Sequence, residues 1–171
     1  MLPDPVTATD LNIYEPAPLP WDRVRVALTY LSRPETPQFL GTVGADGRPH
    51  SAGIGCTLHN EGVYFTSGPG ARKTRRLESN PACTLSFRLP EIDLVLEGDA
   101  YRSTDPDEID AVTALYRAIG WPAEREGDAV TAPFSAQSAG PAPWHLYRFT
   151  PRAAVGIALA APHGATRWHF A

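Results

Sequence analysis

Apolar and polar residues alternate along most of the chain, and this period of two predicts a fold built mainly of β-strands. β-Branched and aromatic residues are concentrated in the same segments, with Gly, Pro, Asn or Asp residues between them. The predicted strands are 39–43, 50–58, 63–67, 83–89, 93–102, 144–149, 153–159 and 166–170. So many strands with few helices favour a β-barrel with peripheral helices over a parallel α/β sheet.

Three segments change to the helical period. Apolar residues recur at helical spacing over 21–31, and residues 72–79 can form a shorter helix. The helix over 106–119 has the clearest start, because the N-cap acid Asp105 is followed by proline and then by Glu108 at the third position. The helices are therefore expected to be few and to lie outside the barrel.

Two segments show no period. Five prolines within residues 1–20 predict an irregular N-terminal arm, because proline fixes φ and lacks an N–H group. Residues 21–171 are expected to form one domain. Within it, residues 120–143 are rich in Gly, Pro, Ala and Ser and predict a long loop, and such loops usually carry function. We expect this loop and the following Trp144 to border a substrate pocket.

Composition narrows the function further. The formal net charge of −4 provides no general basic face for nucleic acid or an anionic membrane. No apolar run approaches the ~20 residues of a membrane span, and the first residues lack the layout of a secretory signal, so a cytoplasmic protein is expected. The five histidines show no metal-ligand spacing, and no metal is predicted.

The segment from Tyr64 to Leu77 contains the most informative chemistry. A strand ends in Thr66 and Ser67, a Gly-Pro-Gly turn follows, and a helix begins with Arg72 and Lys73. Hydroxyls, open backbone N–H groups and two cations suit a phosphate. The alternative is a basic, solvated face of an ordinary helix. The turn has neither P-loop nor dinucleotide-fold spacing.

The order of several short motifs resembles the pyridoxamine 5′-phosphate oxidase-like family of FMN-binding split-barrel proteins. The motifs are 39–43, Asp46-Gly47-Arg48-Pro49-His50, Gly62–Ser67, Arg72-Lys73, Asn80-Pro81 and Leu96-Glu97-Gly98-Asp99-Ala100. Residues 144–151 and 164–170 are similar to the family's closing strands. The resemblance implies a six-stranded split β-barrel that forms a homodimer, with two flavin sites at the subunit interface.

The same resemblance implies roles for individual residues. Arg72 and Lys73 would hold the cofactor phosphate, and Thr66 and Ser67 would bind phosphate or ribityl oxygens. Asp93 lies where a flavin-contacting residue is expected. The residues expected along the flavin ring are His50, Ser51, Ala52 and Gly53.

Departures from the family pattern limit the activity. Ala52 and Thr57 replace an arginine and a lysine of the true oxidase, and Ile157 replaces a flavin-side tryptophan. Authentic pyridoxamine phosphate oxidation is therefore not expected. The resemblance implies an oxidoreductase that uses FMN or the deazaflavin coenzyme F-420, whose acidic tail would suit Arg75 and Arg76, and that acts on a small organic molecule. The alternative is a cofactor- or haem-binding split barrel without its own turnover.

Overall fold

The chain forms eleven strands and three helices in the computed structural model, which describes residues 1–171. The helices are α1 (Trp21–Leu28), α2 (Arg72–Ser79) and α3 (Pro106–Ala118). The strands are β1 (Thr7–Asp10), β2 (Gln38–Val43), β3 (Pro49–Gly53), β4 (Cys56–His59), β5 (Gly62–Ser67), β6 (Ala82–Leu89), β7 (Ile92–Ser103), β8 (Glu124–Glu126), β9 (Ala129–Thr131), β10 (His145–Ala158) and β11 (Ala165–His169). No helix is long and apolar enough to cross a membrane.

Nine strands join in one antiparallel sheet, in the order β1-β11-β10-β7-β6-β2-β3, with β5 on β10 and β4 on β5. The 14-residue strand β10 pairs with β7 along its length. Its first half also pairs with β5, and its second half pairs with β11. Because β5 and β11 pair with different halves of β10, the sheet divides at that strand, as in a split barrel. This agrees with the predicted mainly β fold with peripheral helices.

Alternate residues of most strands face the main apolar core, and a second, smaller apolar cluster lies where α3 packs against β5 and β10. Along β7, every second residue from Ile92 to Ala100 is buried, which is the pattern that a one-sided sheet requires. Helix α1 covers one side of this core with Trp21, whose ring centroid lies 5.1 Å from that of Trp168 on β11. The barrel is therefore held by side chains from nearly every strand and by the first helix.

The N-terminal arm is more ordered than the sequence predicts. Its residues Thr7–Asp10 form β1, which adds to the sheet beside β11. The Asp10 carboxylate accepts hydrogen bonds from the N–H groups of Asn12 at 2.9 Å and Ala17 at 3.0 Å, so it folds the following segment back. The prediction of an irregular arm is corrected for these residues, because the prolines flank the strand and an edge strand tolerates them.

Other strand boundaries also differ. The predicted strand 50–58 is divided into β3 and β4, whereas the two predicted strands 144–149 and 153–159 form the single strand β10. A register shift between Pro151 and Ala153 lets β10 continue past the proline. The predicted loop 120–143 contains the short hairpin of β8 and β9.

Helix α3 is fixed to the barrel by a polar cluster around Glu108. Its carboxylate accepts hydrogen bonds from the hydroxyls of Tyr64 and Ser103, and pairs with Arg148 at 3.2 Å. The Asp105 side chain caps the helix as predicted, accepting from the N–H group two residues further on at 2.9 Å. These contacts hold the first turn of α3 against β5, β7 and β10.

Candidate functional site

The turn between β5 and α2 is held by buried hydroxyl groups. Ser67 Oγ and Thr74 Oγ1 are 2.7 Å apart, and Thr74 donates to the Gly68 carbonyl oxygen at 2.7 Å. Ser67 is only 2% exposed. Its hydroxyl, expected to bind phosphate or ribityl oxygens, is directed to Thr74 within the turn, while the neighbouring Thr66 remains partly exposed.

The first turn of α2 lacks the groups that usually satisfy a helix N-terminus. The N-cap residue Ala71 has no side chain able to accept a hydrogen bond, and no acidic residue lies in the first turn. Two cations, Arg72 and Lys73, lie there instead, although the positive end of a helix dipole disfavours cations. A bound anion would accept hydrogen bonds from the uncapped N–H groups and would neutralise the nearby cations.

A cavity of about 490 Å³ adjoins this helix start and has a floor of bare backbone. The floor is the connection between β3 and β4, from Gly53 to Cys56. A Cβ atom added at Gly53 or Gly55 would meet no atom within 4 Å, so the glycines leave open space above the chain. Gln38 fixes the floor because its side-chain carbonyl accepts from the Cys56 N–H at 2.7 Å and its amide donates to a backbone carbonyl of the segment after α1.

Lys73, the only lysine of the chain, lines this cavity together with Thr66. Partial burial lowers the pKa of Lys73, and no carboxylate contributes to offset the desolvation. A buried or half-buried ammonium without a counter-ion is unfavourable. The cation is therefore positioned to gain from a bound anion.

Arg72 does not share the cavity with Lys73. It lines a separate surface cleft of about 350 Å³ with Arg75 and Arg76. Consecutive helix residues point about 100° apart, which separates the two side chains. The predicted convergence of Arg72 and Lys73 on one phosphate is thus not seen within the chain, and the structure presents two cationic sites on either side of the helix start.

The residues predicted along a flavin ring lie on an edge strand. His50, Ser51, Ala52 and Gly53 belong to β3, which pairs with β2 alone. Of these four, only Gly53 lines the cavity. The outer backbone groups of β3 have no second strand partner, so they are free to bind another molecule.

Asp93 lies far from the cavity. It sits at the start of β7, where its carboxylate pairs with Arg88, with one N–O distance of 3.0 Å. Ser103 lies ten residues further along the same strand and pairs with Leu146 on β10. Leu146 pairs in turn with Thr66 on β5, so Ser103 and Thr66 lie at the same height in the sheet. Ten residues of strand span about 30 Å, so Asp93 and Thr66 of one chain cannot touch the same ring.

The long loop after α3 forms one wall of the cavity. Trp121 lies at its start and donates from Nε1 to the Phe134 carbonyl oxygen at 2.7 Å. Both residues line the cavity, as do Ser135 and Ser138. Trp144 is placed behind this wall: it is 3% exposed and its ring centroid is 5.7 Å from that of Trp121. Trp121 therefore lines the cavity, whereas Trp144, which was expected to border a substrate pocket, does not.

Sequence reasoning missed part of the cavity. The floor residues Ile54, Gly55 and Cys56 fall within the predicted strand 50–58, although two glycines spaced by one residue signal an interruption with open backbone. The segment after α1, residues 32–36, also lines the cavity and carries no motif. No group of three or more His, Cys, Asp or Glu side chains is arranged as a metal site.

The antiparallel sheet divided at β10, with its peripheral helices, places the chain among the split β-barrels. The chain belongs to the pyridoxamine 5′-phosphate oxidase family, whose model matches residues 29–156. The predicted family and split-barrel fold are thereby confirmed. No curated protein matches the chain.

Several solved structures share the fold at low sequence identity. A pyridoxamine 5′-phosphate oxidase-related, FMN-binding protein from Nostoc punctiforme is 20% identical, with 88% of this chain and 91% of that chain covered and a TM-score of 0.60. An F420 reductase is 23% identical, with coverages of 74% and 93% and a TM-score of 0.52. A heme-binding protein from Mycobacterium smegmatis is 12% identical, with coverages of 81% and 54% and a TM-score of 0.56. The shared fold alone does not select one of these ligands.

Proposed function

We propose that the protein is an oxidoreductase that uses FMN or the deazaflavin F-420 to act on a small organic molecule. The observation that carries this proposal is the cavity that joins a glycine floor to a half-buried, unpaired Lys73. A planar ring fits over bare backbone, and a phosphate fits the lysine at a helix start. Membership of a flavin-binding family supports the same conclusion.

The residues of the cavity fit such a cofactor by their chemistry. Lys73 would hold the phosphate, Thr66 would bind its oxygens or those of the ribityl chain, and the backbone of Gly53 and Gly55 would face the ring. A bound flavin or deazaflavin would supply hydride or electron transfer. The protein would contribute orientation and the exclusion of water, the latter through the loop that carries Trp121 and Phe134.

The cleft of Arg72, Arg75 and Arg76 bears on the choice between the two cofactors. It carries three positive charges and no carboxylate among its lining residues. The acidic tail expected of F-420 would suit this cleft, whereas FMN has no group to occupy it. The arginine cleft therefore favours the deazaflavin.

The absorption spectrum of the purified protein tests the proposal. A flavin spectrum supports FMN, the shorter-wavelength band of a deazaflavin supports F-420, and a Soret band would support a haem-binding role instead. None of the five histidines lines the cavity, which disfavours histidine-ligated haem there. A protein that binds none of the three in titrations would refute the proposed function.

Filling the floor of the cavity should abolish cofactor binding without unfolding the protein. In Gly55→Val, the new Cβ atom meets no atom within 4 Å, and the side chain occupies the volume over which the ring would lie. We expect FMN or F-420 affinity to fall at least roughly 100-fold, since overlap cannot be relieved without moving the backbone. A cofactor titration alongside thermal unfolding measures both effects, and unchanged affinity would place the ring elsewhere.

A homodimer is part of the proposal. Phe39, Val95 and Val155 lie in one cross-strand row on the sheet face opposite the core, and Ile157 lies beside that row on β10. Phe39 is 47% and Ile157 50% exposed, which is unusual for large apolar side chains on a sheet. A second copy would cover this face. It would also give Asp93, whose neighbour across the strands is Ile157, a route to a cofactor held by the other subunit.

Light scattering of Ile157→Asp tests the dimer. A charge buried in an apolar interface without a partner is costly, so we expect dimer affinity to fall roughly 100-fold or more and cofactor binding to weaken with it. Ile13→Asp is the matched control, because Ile13 is 83% exposed and lies on the N-terminal arm. A wild-type protein that binds cofactor as a monomer at micromolar concentration would contradict the dimer.

A further inference from the structure

One face of the large sheet has no cover within the chain. The buried apolar side chains of α1 and α2 belong to the main apolar cluster, and those of α3 belong to the smaller one. Phe39, Val95 and Val155, which point away from the core, belong to neither cluster. We call this surface, formed by the outward-facing residues of β2, β6, β7, β10 and β11, the open sheet face.

Two opposite charges lie in the middle of the open sheet face. Glu97 on β7 pairs across the strands with Ala153 on β10, and Arg167 on β11 pairs with Val155 on β10. The two charged side chains meet across β10, where Arg167 Nη1 is 3.4 Å from each carboxylate oxygen of Glu97. Strands β6 and β2 continue the sheet beyond β7, and β1 continues it beyond β11. The pair therefore lies inside the face and not at its edge.

This contact uses little of the hydrogen-bonding capacity of either group. Arg167 donates to Glu97 through Nη1 alone, although a guanidinium has five N–H donors. Both N–O distances exceed the usual length of about 2.7 to 2.9 Å for a charge-assisted hydrogen bond. The side chains of Arg167 and Glu97 remain 38% and 45% exposed. Each can therefore accept a further partner of opposite charge from outside the chain.

A second copy of the same chain is the partner that suits this arrangement. Around a two-fold axis, two identical faces present the same residues to each other, so a neighbouring cation and anion meet an anion and a cation. The side chains beside Glu97 on the neighbouring strands are small, Thr84 on β6 and Ala153 on β10, so two sheets can approach closely there. A partner surface of one sign would match only one of the two charges.

We propose that two copies of the chain are held in register by exchanging this ion pair, with Arg167 of each copy binding Glu97 of the other. The inference rests on the homodimer of the proposed function and identifies the residues that determine its orientation. Because desolvation offsets much of the attraction, the exchanged pair contributes specificity more than affinity. A copy in which either charge is reversed should be rejected, since like charges would then face each other.

Charge reversal tests the exchange. Glu97→Arg and Arg167→Glu, each alone, should weaken the dimer roughly 100-fold, because like charges are brought together in the interface. An equimolar mixture of the two variants should form heterodimers close to wild-type affinity, because two cations of one copy then face two anions of the other. Native mass spectrometry without added cofactor distinguishes heterodimers from homodimers by mass, and circular dichroism checks that each variant is folded.

The mixture separates exchange between copies from a pair confined to one chain. If the pair acts only within the chain, each variant keeps its repulsion inside itself, and a mixture that dimerises as weakly as the single variants overturns the proposal. Glu97→Gln and Arg167→Gln are milder changes, and we expect each to weaken the dimer by about 10-fold. Wild-type dimer affinity in both would also overturn it.

Asp110 and Arg125 provide the matched control. They form an ion pair of similar exposure at 2.8 Å, on α3 and β8, away from the open sheet face. Asp110→Arg and Arg125→Asp should each dimerise like wild type, and their mixture should pair at random. A preference for heterodimers in this mixture would overturn the proposal, because selection by charge would not depend on the open sheet face.

The outcome is also independent of the proposed cofactor. A protein that binds neither FMN nor F-420 but forms the selective Glu97→Arg and Arg167→Glu heterodimer would refute the proposed function and uphold the exchange. A cofactor-binding dimer in which the same mixture shows no rescue would uphold the function and overturn the exchange. A wild-type protein that remains monomeric at micromolar concentration would overturn the exchange directly.

Discussion

Replacing Lys73 by alanine is expected to weaken the binding of both FMN and F-420 by about 10- to 100-fold, since hydrogen bonds to charged groups contribute roughly that much. The fold should not suffer, because burial lowers the pKa of this amine and no carboxylate pairs with it. Fluorescence or absorbance titration with each cofactor measures the loss, and thermal unfolding checks the fold.

Two comparisons make the Lys73 experiment specific. Arg72→Ala should weaken F-420 and leave FMN nearly unchanged, because Arg72 lies in the arginine cleft outside the cavity. Cofactor affinity should also fall as the pH rises, because Lys73 loses its proton and its positive charge. Since the pKa of Lys73 is lowered, this loss should begin at a lower pH than for an ordinary lysine, whose pKa is 10.5. Lys73→Arg should abolish this alkaline loss. Wild-type affinity in Lys73→Ala would refute the phosphate site.

Adding one methyl group at Gly98 is expected to destabilise the whole protein by about 2 to 3 kcal/mol. A Cβ atom there would lie 2.1 Å from the Thr150 carbonyl oxygen and 2.8 Å from Phe149 Cζ. The carbonyl belongs to β10, which pairs with β7 at this point, so neither backbone can move without breaking the ladder. Denaturant unfolding of Gly98→Ala measures the effect.

Gly53→Ala provides the matched control for Gly98→Ala. It makes the same chemical change on another strand, but its Cβ would meet no atom within 4 Å. We expect its unfolding free energy to stay within about 0.5 kcal/mol of wild type. If both variants unfold alike, close packing of β7 against β10 does not explain the need for glycine.

Local signals in the sequence were sufficient for much of the fold. The capping residues of α3 predicted its start correctly, and its predicted end at 119 is one residue beyond Ala118. The period of two located most strands, because each has one buried face. The period could not reveal β1, whose residues Thr7–Asp10 are largely exposed at the edge of the sheet. Their partner in β11 is about 160 residues away in sequence, and only tertiary pairing orders them.

The candidate site was predicted less completely than the fold. Motifs led to Thr66 and Lys73, which do line the cavity. They also predict that Arg72 and Lys73 bind one phosphate, because the two residues are neighbours in sequence. A helix directs consecutive side chains about 100° apart, and the two cations therefore lie in different sites. The sequence could not show whether Trp121 or Trp144 lines the cavity. The answer depends on how the loop between them folds back. In the structure, backbone hydrogen bonds between Trp144 and Val130 determine that arrangement.

The presence of a single lysine among 15 basic residues gives the protein an unusual chemical handle. Among the side chains of this sequence, only Lys73 carries a primary amine that acylating reagents can modify. A lysine with a lowered pKa holds a larger neutral fraction at moderate pH, and the neutral amine is the form that these reagents modify. Acylation of Lys73, read by mass spectrometry with and without added cofactor, therefore reports directly on whether the cavity is filled.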